Sequence, residues 1–189
     1  MSSAWAAPSA LTGFSVGGVA AHLAAQVLFV PRALDQPAPE GEAVGLYGHY
    51  GRVGWLNADI DNDVNTSIRA SGETSAVAGA DQLRDQVVAA ASALEQRLEV
   101  EPPGRTVSPP AGPWALTLDD FLITRMMEIA VHSDDLAYSV GRPAPPLPSE
   151  VMDPVFELLT GLAVRRHGAT AVLRALSRAE RAPASVSAL

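Results

Sequence analysis

Fifteen prolines and fifteen glycines, gathered into clusters along the chain, limit the available fold more than any other feature of the sequence. Proline has no backbone N–H to give to a helical turn or a central strand, so each cluster punctuates the structure. Between clusters the apolar residues recur three and four apart, and alternating strand-like runs are scarce. That pattern predicts an all-α domain. Ser15 offers an N-cap hydroxyl to a helix over 16–30, with Val19, His22, Gln26 and Phe29 on one stripe and Pro31 as the stop. Residues 31–54 read as a long connection carrying Tyr47 and Tyr50. A second helix is expected over 57–71, with Ile60, Val64 and Ile68 as its apolar stripe and an acidic first turn that suits the helix dipole. A third, over 81–100, has the clearest periodicity: Leu83, Val87, Ala90 or Ala91, Leu94 and Leu98.

Five prolines between Pro102 and Pro113 predict a stiff, extended crossover, which frees the next helix to start far from the end of the last. Thr117, with Asp120 three residues on, resembles a capping box and opens a fourth helix that runs to about Val140. Ser149 begins a fifth, ending near His167 with Gly168 as its C-cap, and residues 169–179 form a short amphipathic helix. The tail from Pro183 to Leu189 is expected along the surface. No internal repeat or second boundary is evident, so residues 1–189 read as one helical-bundle domain with a long crossover and a short extra C-terminal helix.

Composition removes several function classes. With no cysteine the chain cannot supply a disulfide, a thiolate ligand, an iron–sulfur cluster or a thiol nucleophile. Its net charge is −8 and all 13 basic residues are arginine, which disfavours nucleic acid and anionic membrane surfaces as partners. No 18-residue stretch is free of polar side chains, and no basic residue precedes Arg32, so a cytoplasmic location without a membrane span is expected.

The four histidines carry most of the chemical information. Glu128 stands four residues before His132 on one helix face, a spacing that permits both to hold one metal ion and that is equally the spacing of an ordinary surface pair. Phe121, Leu122, Ile129 and Leu136 flank them, which turns that face toward the core, where a carboxylate needs partners. His22 lies on an apolar stripe of the first helix. If the first and fourth helices are neighbours, His22, Glu128 and His132 form a site of two imidazoles and one carboxylate with a coordination position left open; otherwise they are core histidines hydrogen-bonded to Glu128. Such a donor set suits zinc and also accepts nickel. Asp135 is a candidate acceptor for a ligand imidazole, or an exposed acid near the helix end. Arg125 could orient Glu128 or an anionic substrate, or form a plain ion pair with it. Asn57, Asp61 and Asn65 could bind a sugar-like cofactor or form the wet face of a helix. His49 reads as a lid contact or a loop residue, and His167 as a cation at a helix C-terminus.

The segment from Leu11 to Leu23, containing His22, and the run Arg125-Met-Met-Glu128-Ile-Ala-Val-His132-Ser-Asp-Asp135 together resemble the mycothiol-dependent maleylpyruvate isomerase family of the DinB-like superfamily. Residues 165–178 resemble that family's C-terminal signature. The resemblance implies a DinB-like four-helix bundle whose divalent metal, usually zinc, is held by His22, Glu128 and His132. It also implies a low-molecular-weight thiol, mycothiol, acting on a small electrophile by S-transfer or isomerisation. The expected partners are therefore that thiol and its electrophile, with no nucleic acid, no membrane and a homodimer left open. Two departures stand out: family members commonly have an acidic residue where Gly18 stands, and the isomerases carry an additional C-terminal α/β domain that this sequence is expected to lack. A non-catalytic bundle with a structural or ligand-sensing metal is the competing reading.

Overall fold

In a computed structural model, which describes residues 2–56 and 58–189, the chain divides into two compact units, Met1–Pro146 and Leu147–Leu189. The first unit is organised around its most apolar helix. After a short α1 (Ser2–Trp5), α2 spans Val16–Leu34 and packs against each of α4 (Asp63–Ala76), α5 (Ala80–Val100) and α6 (Leu118–Ser139). Small residues allow this: Gly17, Gly18, Ala21 and Ala24 are buried along α2. At Gly72 of α4 an added Cβ would sit 2.9 Å from the Gly18 carbonyl oxygen, so the two backbones meet at a pair of glycines. Among the described residues α2 is also long and apolar enough to cross a membrane, with a mean hydropathy of 1.3. Its three helical neighbours account for that apolarity as core.

Ser15 caps α2 as its sequence position predicts, its Oγ accepting from the Gly18 N–H at 2.9 Å. Glu73 of α4 reinforces the cap, accepting from the Ser15 N–H at 2.7 Å and the Ser15 hydroxyl at 2.8 Å. The other end differs from expectation: α2 continues through Pro31 to Leu34. A proline inside a helix costs about 3 kcal/mol, whereas fully burying one aliphatic side chain returns roughly 1.5–3 kcal/mol. Val30, Ala33 and Leu34 all enter a core cluster with Leu94, Val107, Leu116, Leu118 and Phe121, so the last turn is held by what it buries.

The 31–54 connection contains its own helix, α3 (Gly45–Tyr50), which contacts α6. The second long helix begins at Asp63, not 57. Asn62 accepts from the backbone N–H groups of Val64 (2.8 Å) and Asn65 (3.0 Å), and Asp59 Oδ1 accepts from the Asp61 N–H at 2.8 Å, a turn that competes with helix. The expected apolar stripe is correspondingly displaced: Ile60 and Val64 are 47% and 41% exposed, and Gly72 and Ala76 are the buried residues. The buried face of α5 follows its sequence period, with Leu83 and Leu94 buried and Val87, Ala90 and Leu98 half-buried.

The proline-rich crossover is pinned at its ends. β1 (Thr106–Val107) pairs antiparallel with β2 (Leu116–Thr117), setting Val107 opposite Leu116, both fully buried. Thr117 then caps α6, accepting from the Asp120 N–H at 3.1 Å. This two-strand ladder leaves the first unit an all-α helical bundle. In the second unit α7 (Ser149–His167) turns at Gly168, whose φ of +84° suits a residue without a Cβ, into α8 (Ala169–Ser177), which packs on α7.

Candidate metal centre

The contact between α2 and α6 places His22, Glu128 and His132 together. One ligand atom from each lies within 4.8 Å of the others. His132 Nε2 is 3.1 Å and His22 Nε2 3.8 Å from the same Glu128 oxygen, Oε2, and the two imidazoles meet edge to face with centroids 4.8 Å apart. Donors each about 2.0–2.2 Å from one zinc ion at tetrahedral angles lie roughly 3.3–3.6 Å from one another, a spacing that the two separations from Glu128, 3.1 and 3.8 Å, bracket. All three side chains are only part-buried, with exposures of 13–18%.

The imidazole of His132 is held in place from behind. Its Nδ1 donates to Asp135 Oδ2 at 2.9 Å, leaving Nε2 toward Glu128 and His22. That is the arrangement by which a carboxylate fixes the tautomer of a metal-ligating histidine. Electrostatics tighten the cluster. Burial opposes ionisation of Glu128, yet the hydrogen bond from His132, the His22 ring 3.8 Å away and the nearby Arg125 charge hold its carboxyl well below the usual range. Burial likewise opposes charge on His132, but bonding to Asp135 and Glu128 outweighs it and raises the pKa to about 9. A cation entering this cluster therefore competes with a proton.

Arg125 does not bond to Glu128. Its guanidinium lies between the Phe29 and Phe121 rings, 5.9 and 5.3 Å from their centroids, and donates to Thr124 Oγ1 (3.1 Å) and Gln26 Oε1. Its positive charge acts on the Glu128 carboxylate through space. Asp61 and Asn65 have local partners: the Asp61 carboxylate is exposed and pairs with Arg69 at 3.2 Å, and Asn65 Nδ2 donates to the Asp59 carbonyl at 3.0 Å. Both contacts tie the turn before α4 to that helix. Asn57 lies outside the described residues. His167 Nε2 donates to the Ser187 carbonyl at 2.8 Å in the second unit.

His49 is a buried helical residue, 2% exposed, whose Nδ1 accepts from Trp114 Nε1 at 3.0 Å. Burial and the Arg125 charge lower its pKa to about 4, so it is neutral at physiological pH. Its neighbour Tyr50 is 3% exposed, and its hydroxyl is a buried polar group with no hydrogen-bond partner among the described residues. α3 packs on α6, and both residues feel the charges of Glu128 and Arg125. Sequence reasoning put Gln26 on the right stripe but gave it no role; one helical turn after His22, its spacing was the available signal.

The family model described as the mycothiol maleylpyruvate isomerase N-terminal domain matches residues 2–137, and the chain belongs to that family. The match includes α2 and the turns of α6 that carry Glu128 and His132, and ends before α7. No curated protein and no solved structure matches the chain.

Proposed function

We propose that this family member holds a divalent cation, zinc before nickel, on His22, Glu128 and His132 and uses a low-molecular-weight thiol, mycothiol, for S-transfer to or isomerisation of a small electrophile in the cytoplasm. The observation that carries this reading is the convergence of those three donors from helices a hundred residues apart in sequence. When bound, the cation would act as a Lewis acid that lowers the pKa of a thiol ligand. The chain supplies the surroundings. Glu128 offsets part of the cation charge, Asp135 keeps Nε2 of His132 pointed inward, and Arg125 fixes a positive charge close to the carboxylate. Because the protein has no cysteine, the sulfur nucleophile must come from a small molecule. The net charge of −8 supports small-molecule partners over nucleic acid or an anionic membrane.

Elemental analysis of purified protein is the direct test, with one cation per chain expected. His132→Ala should lose stoichiometric metal while keeping most of its helical signal, because the core clusters remain intact. Retained metal in that variant rejects the ligand assignment. Cobalt-substituted protein should change its visible spectrum when a thiol is added, and turnover of candidate electrophiles should depend on the thiol; a centre that is closed to thiol would instead be structural.

A further inference from the structure

Gln26 is 1% exposed, and both ends of its amide are accounted for. Arg125 Nη1 donates to Oε1. Arginine has donors only, so this bond fixes which end of the amide is oxygen and turns the NH₂ group toward His22. One N–H meets the His22 carbonyl at 3.0 Å; the other meets His22 Nε2 at 3.3 Å. Reversing the amide would set two donors against each other in the interior, beside an arginine already enclosed by Phe29 and Phe121. The orientation is therefore a property of the fold.

His22 Nε2 is also the nitrogen that lies 3.8 Å from Glu128 Oε2. An imidazole nitrogen has one lone pair, and a cation held by His22, Glu128 and His132 would take it. The second Gln26 N–H then has no acceptor among the described residues while still directed at the donor cluster, and a buried unpaired donor is costly. An acceptor atom belonging to an exogenous ligand on the cation restores the bond.

We infer that Gln26 is a ligand-recognising donor of the metal centre, giving its second side-chain N–H to an anionic sulfur or oxygen atom of the bound ligand, with Arg125 as the positioning residue that holds the amide. This rests on the metal reading above and adds a selectivity to it. A thiolate coordinated through sulfur keeps lone pairs for Gln26. A neutral imidazole coordinated through nitrogen keeps none.

The test uses the full chain loaded with cobalt, titrated with 2-mercaptoethanol and separately with imidazole, and followed by visible absorption. Wild type is compared with Gln26→Met, which keeps the side-chain length but removes the donor, and Gln26→Glu, which keeps pairing with Arg125 but offers only acceptors. Both variants should take up one cobalt. The 2-mercaptoethanol Kd should rise roughly tenfold in Gln26→Met and further in Gln26→Glu, while the imidazole Kd moves less than about twofold in Gln26→Met. An unchanged 2-mercaptoethanol Kd in either variant overturns the inference, as does an equal loss for both probes in Gln26→Met. Loss of cobalt from the variants would also overturn it, because Gln26 would then serve only to place His22. Failure of wild type to take up cobalt, seen before any ligand is added, sinks the metal reading itself.

Discussion

Asp135 meets the cluster through His132, so its contribution to the proposed centre can be isolated. By accepting from Nδ1 at 2.9 Å it fixes the ring and makes Nε2 a better electron donor. Asp135→Asn should weaken metal affinity by about 10- to 100-fold without abolishing binding, read by competition with a chelator of known affinity. His49 provides a separate pH signature. Its folded pKa of about 4 lies below the unfolded value of 6.5, so between those values the unfolded chain binds the extra proton. Stability should therefore fall as pH drops through that window, with up to about 3 kcal/mol lost below pH 4. His49→Gln keeps an acceptor for Trp114 and should remove this part of the slope in urea titrations run at several pH values. A difference profile that stays flat would show that His49 is not buried neutral. Residues at this scale were legible wherever a short spacing encodes a contact, as with Glu128, His132 and Asp135 on one helix. Tyr50, Trp114 and the burial of His49 were not, because they depend on how a loop folds over α6.

At the scale of elements, the starts of α2 and α6 and the ends of α5, α6 and α7 were read closely, whereas the end of α2 and both bounds of α4 were not, for a physical reason. The caps at Ser15 and Thr117 are built mainly from atoms within three residues of the cap, so the local sequence contains them. The passage of α2 through Pro31 depends on what Val30, Ala33 and Leu34 bury, which involves α5, α6 and the hairpin. The start of α4 moved from 57 to 63 because an Asp59–Asn62 turn wins over helix there. Gly18 shows how two elements share one task. An acidic residue at that position, as the resemblance leads one to expect, would form a capping box with Ser15, and here Glu73 of α4 supplies the charge instead. An added Cβ at Gly18 would lie 2.1 Å from Glu73 Oε1. Gly18→Glu should consequently destabilise the protein by roughly 1–2 kcal/mol in the wild-type background, through displacement of the Glu73 cap. In a Glu73→Ala background the same change should stabilise by about 0.5–1 kcal/mol. A double-mutant cycle in urea measures both, and the same sign in both backgrounds would refute the shared-cap account.

For the molecule as a whole, the neighbouring placement of α2 and α6 could be expected from the family resemblance but not from any local pattern, since His22 and Glu128 are separated by three other helices and a hairpin. Their meeting has a thermodynamic consequence. A cation held by both helices binds the folded chain far more tightly than the unfolded one, and so links metal occupancy to stability. At a free metal concentration a thousandfold above Kd the gain is about 4 kcal/mol. A folding unit near 150 residues changes its Tm by roughly 2–4 °C per kcal/mol, so loading should raise the Tm by about 8–16 °C. The unit Met1–Pro146 contains all three donors, and hydrogen exchange should locate the added protection there, strongest on the facing turns of α2 and α6. His22→Ala removes the α2 contribution while leaving Glu128 and His132 paired on one helix. That variant should keep its metal-free Tm to within a few degrees and lose most of the metal-dependent rise. A rise of full size in His22→Ala would mean that α6 alone carries the cation and that the interhelical site does not form.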